Sequence, residues 1–167
     1  MPSKVAASAT AGVFAIIVAA VVVQTGVLAP PLDESDYETT TVTLQDQDGT
    51  NRSTVDVRIA DTDRKRYVGL SETASLGEDE GMLFVHEREE RHAYVMRNMS
   101  FPLDIVFIDA NGTITRIHHA ETEPNTANRD LTRYPGTGKY VLEVERGYTN
   151  RTCIEEGDTV VIPDAVD

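Results

Sequence analysis

Hydrophobic and polar residues alternate with a period of two in TTTVTLQDQDGTNRSTVDVRIA, where Val42 and Leu44, then Val55, Val57 and Ile59, stand between polar neighbours. A strand points successive side chains to opposite faces, so this pattern predicts two half-buried strands, joined by a hairpin turn at Asp48-Gly49. Six further segments are short, rich in β-branched and aromatic residues, and bounded by turn residues: GMLFV (81–85), HAYVM (92–96), DIVFID (104–109), TITRIHH (113–119), KYVLEVE (139–145) and DTVVI (158–162). Ile105 to Ile108 are apolar on both alternating sets, which predicts a central strand covered on both faces. Asp109-Ala110-Asn111-Gly112 is a tight connection that makes its flanking strands antiparallel neighbours.

Helical spacing occurs once after residue 39. Asp61, Thr62 and Asp63 supply capping groups, and Tyr67, Leu70 and Ala74 recur behind them, predicting one short amphipathic helix of about three turns. The fold expected is mainly β, a compact antiparallel sandwich or open barrel of about eight strands with one short helix. Residues 120–138, AETEPNTANRDLTRYPGTG, lack a strand pattern and read as a long functional loop.

The N-terminus follows another rule. Ala11 to Ala29 carry no charge over nineteen residues, enough at about 1.5 Å per residue to cross roughly 28 Å of hydrocarbon. This predicts a transmembrane anchor, with a cleaved signal peptide as the alternative. Lys4 precedes it and Asp33, Glu34, Asp36 and Glu38 follow, so the positive-inside rule puts the folded part outside the cell. The expected organisation is a cytoplasmic stub (1–10), the anchor (11–29), a Pro-led linker (30–38), an extracytoplasmic domain (39–163) and a tail (164–167).

The chain has 28 acidic and 15 basic residues among 167, a formal charge of −13, and only three lysines (Lys4, Lys65, Lys139). A surface of carboxylates stays hydrated where salt screens its repulsion, so the composition suggests adaptation to high salt. Nucleic acid, itself a polyanion, is a poor partner for it. A single cysteine, Cys153, excludes an intrachain disulfide. Sequons at Asn51, Asn98, Asn111 and Asn150 are compatible with export.

Several residues invite chemistry. If 92–97 and 104–109 pair as a hairpin, Arg97 falls opposite Asp104, either as a clamp fixing register or, with Asn98, as a fork of donors and acceptors for a ligand. Met96 lies beside that cluster and Arg66 could reach it from the helix, giving candidate ligand-binding residues Arg66, Met96, Arg97, Asn98 and Asp104. Arg129, Arg133 and Tyr134 in the long loop are candidate lid residues. Met82 with Met96, or His86 and His92 among Glu87, Glu89 and Glu90, could be read as metal donors. Core methionines and a solvated loop explain them as well, and neither a metal nor a cofactor is assigned. Asp104 and Asp109, about 16 Å apart along a strand, cannot serve as a glycosidase pair. No nucleophile elbow, P-loop, dinucleotide fingerprint or zincin motif occurs.

Taken in order, RYVGL (66–70), GMLFV (81–85), MRN (96–98), PLDIVFID (102–109) and Gly112 resemble the domain of unknown function 192 family. KYVLEVERG (139–147) and EGDTV (156–160) resemble its closing elements. The resemblance covers about residues 40–163 and implies a compact, mainly-β fold, frequent export or membrane attachment, and no established activity. Val95, Arg97 and Met99 stand where that family commonly has tryptophan, lysine and threonine.

The function expected from these features is a membrane-tethered extracytoplasmic binding or accessory domain, its partner a cell-envelope small molecule or protein. A cell-envelope hydrolase or isomerase using Arg66, Arg97, Asn98 and Asp104 is the alternative from another class, and a structural partner in a membrane complex is the third.

Overall fold

The computed structural model describes residues 31–166. The expected anchor at 11–29 and the cytoplasmic stub lie outside the described residues. No helix among the described residues is long and apolar enough to cross a membrane.

Among the described residues seven strands form one curled sheet: β1 (Thr39–Gln45), β2 (Asn51–Ala60), β3 (Glu80–Tyr94), β4 (Leu103–Ile108), β5 (Ile114–Ala120), β6 (Tyr134–Glu145) and β7 (Thr159–Val161), in the order β5-β4-β6-β3-β2-β1-β7. A bridge between Thr113 and Thr159, with Val160 N–H donating to Gly112 O at 2.8 Å, brings the two ends of that order together. The sheet is thus a half-barrel drawn shut at one end. Two helices, α1 (Asp63–Val68) and α2 (Tyr148–Thr152), complete it.

The hairpin about Asp48-Gly49 forms, with Val42 opposite Val55. β4 is buried along its whole length between β5 and β6, as its unbroken apolar run requires. Four expectations need correction, the first being the single helix, since two short helices form. The sheet is not wholly antiparallel, because α1 is a crossover and β2 pairs parallel to β3. The strands number seven, because 81–85 and 92–96 belong to one long strand: the charged residues between them continue β3 through a bulge while β6 pairs on either side. The helix stops after six residues, since Gly69 at φ 51 donates its N–H to Lys65 O and turns the chain away from α-helical geometry.

Alternation along β3, β4 and β6 sorts the core onto two faces. Leu83, Val106, Ile108, Leu142 and Val144 pack inside the half-barrel with β1, β2 and β7 residues. Met82, Phe84, Ile105, Phe107 and Val141 point the other way and are covered by Tyr37, Leu70, Met96 and Leu103. Each fully buried side chain of this size contributes roughly 1.5–3 kcal/mol. Glu143 occupies this second face too: its strand neighbours are Met82 and Ile105, and it is 6% exposed.

Candidate functional site

Glu143 is the one charged residue in the apolar run YVLEV, and the sheet carries it to the floor of a cleft of ≈ 360 Å³. The walls come from three places. Arg66, Tyr67 and Leu70 stand on α1 and the turn after it, Phe84, His86, His92 and Tyr94 on β3, and Arg97 and Met99 on the turn that leaves β3.

Within the cleft the polar groups form a graded series. Arg66 is fixed at the rim, its Nη1 donating to Asp61 O at 2.6 Å and Val85 O at 2.7 Å, and its Nη2 to Asp63 Oδ1 at 2.7 Å. His86 lies inward, stacked on His92 with ring centroids 3.6 Å apart, and its Nε2 shares a hydrogen bond of 3.0 Å with the Tyr94 hydroxyl. Burial, then the neighbouring His92 and Arg66, push the His86 pKa down to about 4, so the ring is neutral near pH 7. Tyr94 rises well above the usual phenol range through burial, with Glu143 adding to the effect.

Deepest is Glu143, raised to about 8 by burial alone. Among the described residues its carboxyl has no hydrogen-bond or ionic partner. The Nε2 of His92 is buried without one. Buried polar groups are nearly always satisfied, and an isolated one costs roughly 1–3 kcal/mol, so this ring nitrogen beside the Glu143 carboxyl marks a place able to receive a polar group from outside.

The expected cluster of Arg97, Asn98 and Asp104 does not assemble. β6 lies between β3 and β4, so the hairpin that would pair Arg97 with Asp104 is not formed. Arg97 instead crosses to α1, where its guanidinium lies 3.8 Å over the Tyr67 ring and its Nη2 donates to Tyr67 O. Arg66 and Arg97 therefore line the same cleft. Met96 is a buried core residue, and Asn98, at φ 55, supplies a left-handed turn position on the surface.

Asp104 faces the half-barrel side, fully buried. Its carboxylate accepts from His119 Nδ1 at 2.6 Å, from the N–H groups of Gly147 and Thr149, and from the Thr149 hydroxyl at 2.8 Å. It is a fastener for α2, not part of the cleft. The candidate lid residues also lie elsewhere. Tyr134 belongs to β6 and packs its ring 5.6 Å from His118; Arg129 pairs with Asp130. Neither these nor Arg133 are among the walls of the cleft. No cluster of three or more His, Cys, Asp or Glu among the described residues is arranged to hold a metal ion.

Glu143 and Tyr94 carried no motif in the sequence. The available signal was a carboxylate at an inward position of an otherwise apolar strand, which a search for spaced polar clusters passes over.

A family model for uncharacterised proteins, DUF192 (Uncharacterized ACR), matches residues 43–162. The chain belongs to the domain of unknown function 192 family. No curated protein matches this DUF192 chain. Among solved structures it is similar to a protein described as a "putative transcription regulator" from Sinorhizobium meliloti 1021, with 28% identity and a TM-score of 0.67, over 74% of this chain and 93% of that one. It is similar also to a protein of unknown function from Novosphingobium aromaticivorans DSM 12444, with 29% identity and a TM-score of 0.67, over 81% of this chain and 94% of that one. These relatives share the DUF192 fold and establish no specific function.

Proposed function

We propose that this DUF192 chain is a small-molecule-binding domain held on the outer side of a membrane by residues 11–29. The observation that carries the binding reading is Glu143, a carboxyl 6% exposed, without a described partner and facing a cleft whose walls are otherwise largely apolar. Binding sites of this kind combine an apolar lining with a few converging polar groups. The nineteen uncharged residues, the acidic segment after them and the charge of −13 support tethering, external exposure and a salty medium.

Regulation of transcription, the description borne by the S. meliloti protein, fits this chain less well, because a −13 chain repels a polyanion. An enzymatic role for the cleft is the second reading, favoured by Glu143 at about 8, within the range of a working acid or base.

Native mass spectrometry of the chain extracted from its own membranes tests the binding reading. A small-molecule adduct is expected on the wild type and lost on Met99→Trp, which fills the cleft while leaving Glu143 in place. An adduct retained by Met99→Trp would remove the cleft from consideration. Tethering predicts retention in the membrane fraction after an alkaline wash, and a soluble product starting near Pro30 would show cleavage instead.

A further inference from the structure

The cleft is richer in cationic groups than the chain as a whole. In a −13 protein its lining sets Arg66 and Arg97 against Asp63 and the buried Glu143. Arg97 spends one N–H on Tyr67 O, so most of the five donors a guanidinium carries are uncommitted among the described residues. Asp63, the acid paired with Arg66, has a fully exposed side chain and is screened by solvent. The rim therefore favours an anion.

The floor has a different preference. Glu143, held in the apolar wall beside Met82 and Ile105, is a neutral carboxylic acid near pH 7, and its hydroxyl requires an acceptor. A cationic ligand would meet the arginines and would demand a charged Glu143 where the surroundings disfavour charge. Leu70, Phe84 and Leu103 add apolar surface to the lining. A volume of ≈ 360 Å³ lies at the small end of ligand cavities.

Resting on the binding reading above, we propose that the ligands are small acylated carboxylates of the N-acyl amino acid type. The acyl body lies against Phe84 and Leu70, its carbonyl oxygen accepts from Glu143, and the carboxylate meets Arg97 at the rim with Arg66 beside it. This order of groups matches the cleft, which sets apolar surface and the Glu143 carboxyl within, His86, His92 and Tyr94 along the β3 wall, and cationic donors at the mouth.

Three probes with one phenyl body separate the terms: N-benzoylglycine, N-(2-aminoethyl)benzamide, which exchanges the carboxylate for an ammonium, and 4-phenylbutanoate, which lacks the amide. Isothermal titration of the full-length chain is expected to give N-benzoylglycine at least about tenfold tighter binding than either other probe. Arg97→Gln should remove the advantage over the amine and Arg97→Lys should restore part of it, while Glu143→Leu should remove the advantage over 4-phenylbutanoate. Far-UV circular dichroism of each variant establishes that it is folded. Tighter binding of the amine, equal binding of all three, or a preference that survives Arg97→Gln would overturn the acyl-carboxylate assignment and leave the cleft as a binding site. Binding of none of the three by the folded chain would overturn the assignment alone, and absence of any adduct on the wild type in native mass spectrometry would overturn the binding reading.

Discussion

The Asp104 carboxylate and the Thr149 hydroxyl meet at 2.8 Å, although 45 residues separate them in the chain. The same Oδ2 accepts the N–H groups of Gly147 at 3.1 Å and Thr149 at 3.0 Å, and Oδ1 takes His119 at 2.6 Å. One buried side chain thus ties β4 to β5 and to the first turn of α2. It satisfies backbone donors at a helix start that otherwise has no side-chain cap.

Asp104→Ala should therefore destabilise the domain by about 3 kcal/mol or more, since it strands several donors in the interior. Thr149→Val, which removes one hydroxyl hydrogen bond to a carboxylate, should cost about 1.5–3 kcal/mol. Denaturant titration at fixed salt measures both. Neither substitution should alter ligand binding in the folded chain, because Asp104 and Arg97 lie on opposite faces of the sheet; a loss of binding at undiminished stability would contradict that placement.

Glu143 and His86 impose opposite dependences on pH. With its folded pKa raised to about 8 from an ordinary 4.5, Glu143 keeps a proton that the unfolded chain has released, so its contribution to stability falls as pH rises through that window. His86, lowered from 6.5 to about 4, stays neutral while the unfolded chain takes up a proton, so its contribution rises with pH between those values. Below about 6.5 the two oppose each other. From 6.5 to 8 the Glu143 slope is left, at about 1.4 kcal/mol per pH unit, or roughly 2 kcal/mol over the interval. Glu143→Gln should flatten stability across that interval and unmask the rise below pH 6.5 that His86 supplies. Denaturation curves at pH 5, 6.5 and 8 decide it: a slope that persists in Glu143→Gln would assign the titration to another group.

How far the sequence reveals the fold depends on whether a segment's pattern is local. The β1–β2 hairpin, the doubly covered β4 and the tight turn at Asp109-Gly112 follow from period, turn chemistry and burial demand within each segment. The pairing of β3 with β6 does not: it joins Tyr94 to Tyr134 across a bulge, and the charged residues 87–91 that suggest a loop are simply the solvated part of a strand. The site failed for the same reason. Arg97 and Asp104 are close in sequence but are separated by β6, which the local pattern of residues 92–109 does not announce. Arg66 and Arg97 do share a cleft, yet its floor comes from residue 143, and only the sheet order brings it there. The helix α2 has no signature in the sequence, because five residues between Gly147 at φ 90 and Cys153 at φ 56 carry no periodicity.

Gly136 permits the packing behind the cleft. A Cβ at this position would stand 2.3 Å from the Phe107 ring, which itself packs edge-on against Tyr94 at 5.7 Å. Phe107 is fully buried in β4. Gly136→Ala should cost about 1–3 kcal/mol through overpacking, and it should displace the Tyr94 ring and weaken its bond to His86. Thermal denaturation reads the first effect, and near-ultraviolet circular dichroism of the tyrosines reads the second. Stability and spectrum both unchanged would mean that Phe107 can move aside.

Salt should stabilise the chain. At −13 the acidic groups outnumber possible basic partners, so repulsion among carboxylates is the larger electrostatic sum. Exposed ion pairs such as Arg116–Glu156 at 3.4 Å are worth only about 0.2–1 kcal/mol each, and salt weakens them as well. The screening length falls from about 30 Å at 0.01 M to about 3 Å at 1 M, which removes repulsion acting across the whole surface while costing only these few short contacts. The melting temperature should therefore rise steadily from tens of millimolar to molar potassium chloride. Neutralising exposed acids at Glu72, Glu78 and Glu145 with glutamine should raise the low-salt melting temperature and flatten the salt response, because the repulsion is then partly removed before salt is added. A salt response unaltered by the three substitutions would show that stabilisation comes from ion exclusion at apolar surface, and a melting temperature that falls with salt would show that the ion pairs outweigh the repulsion.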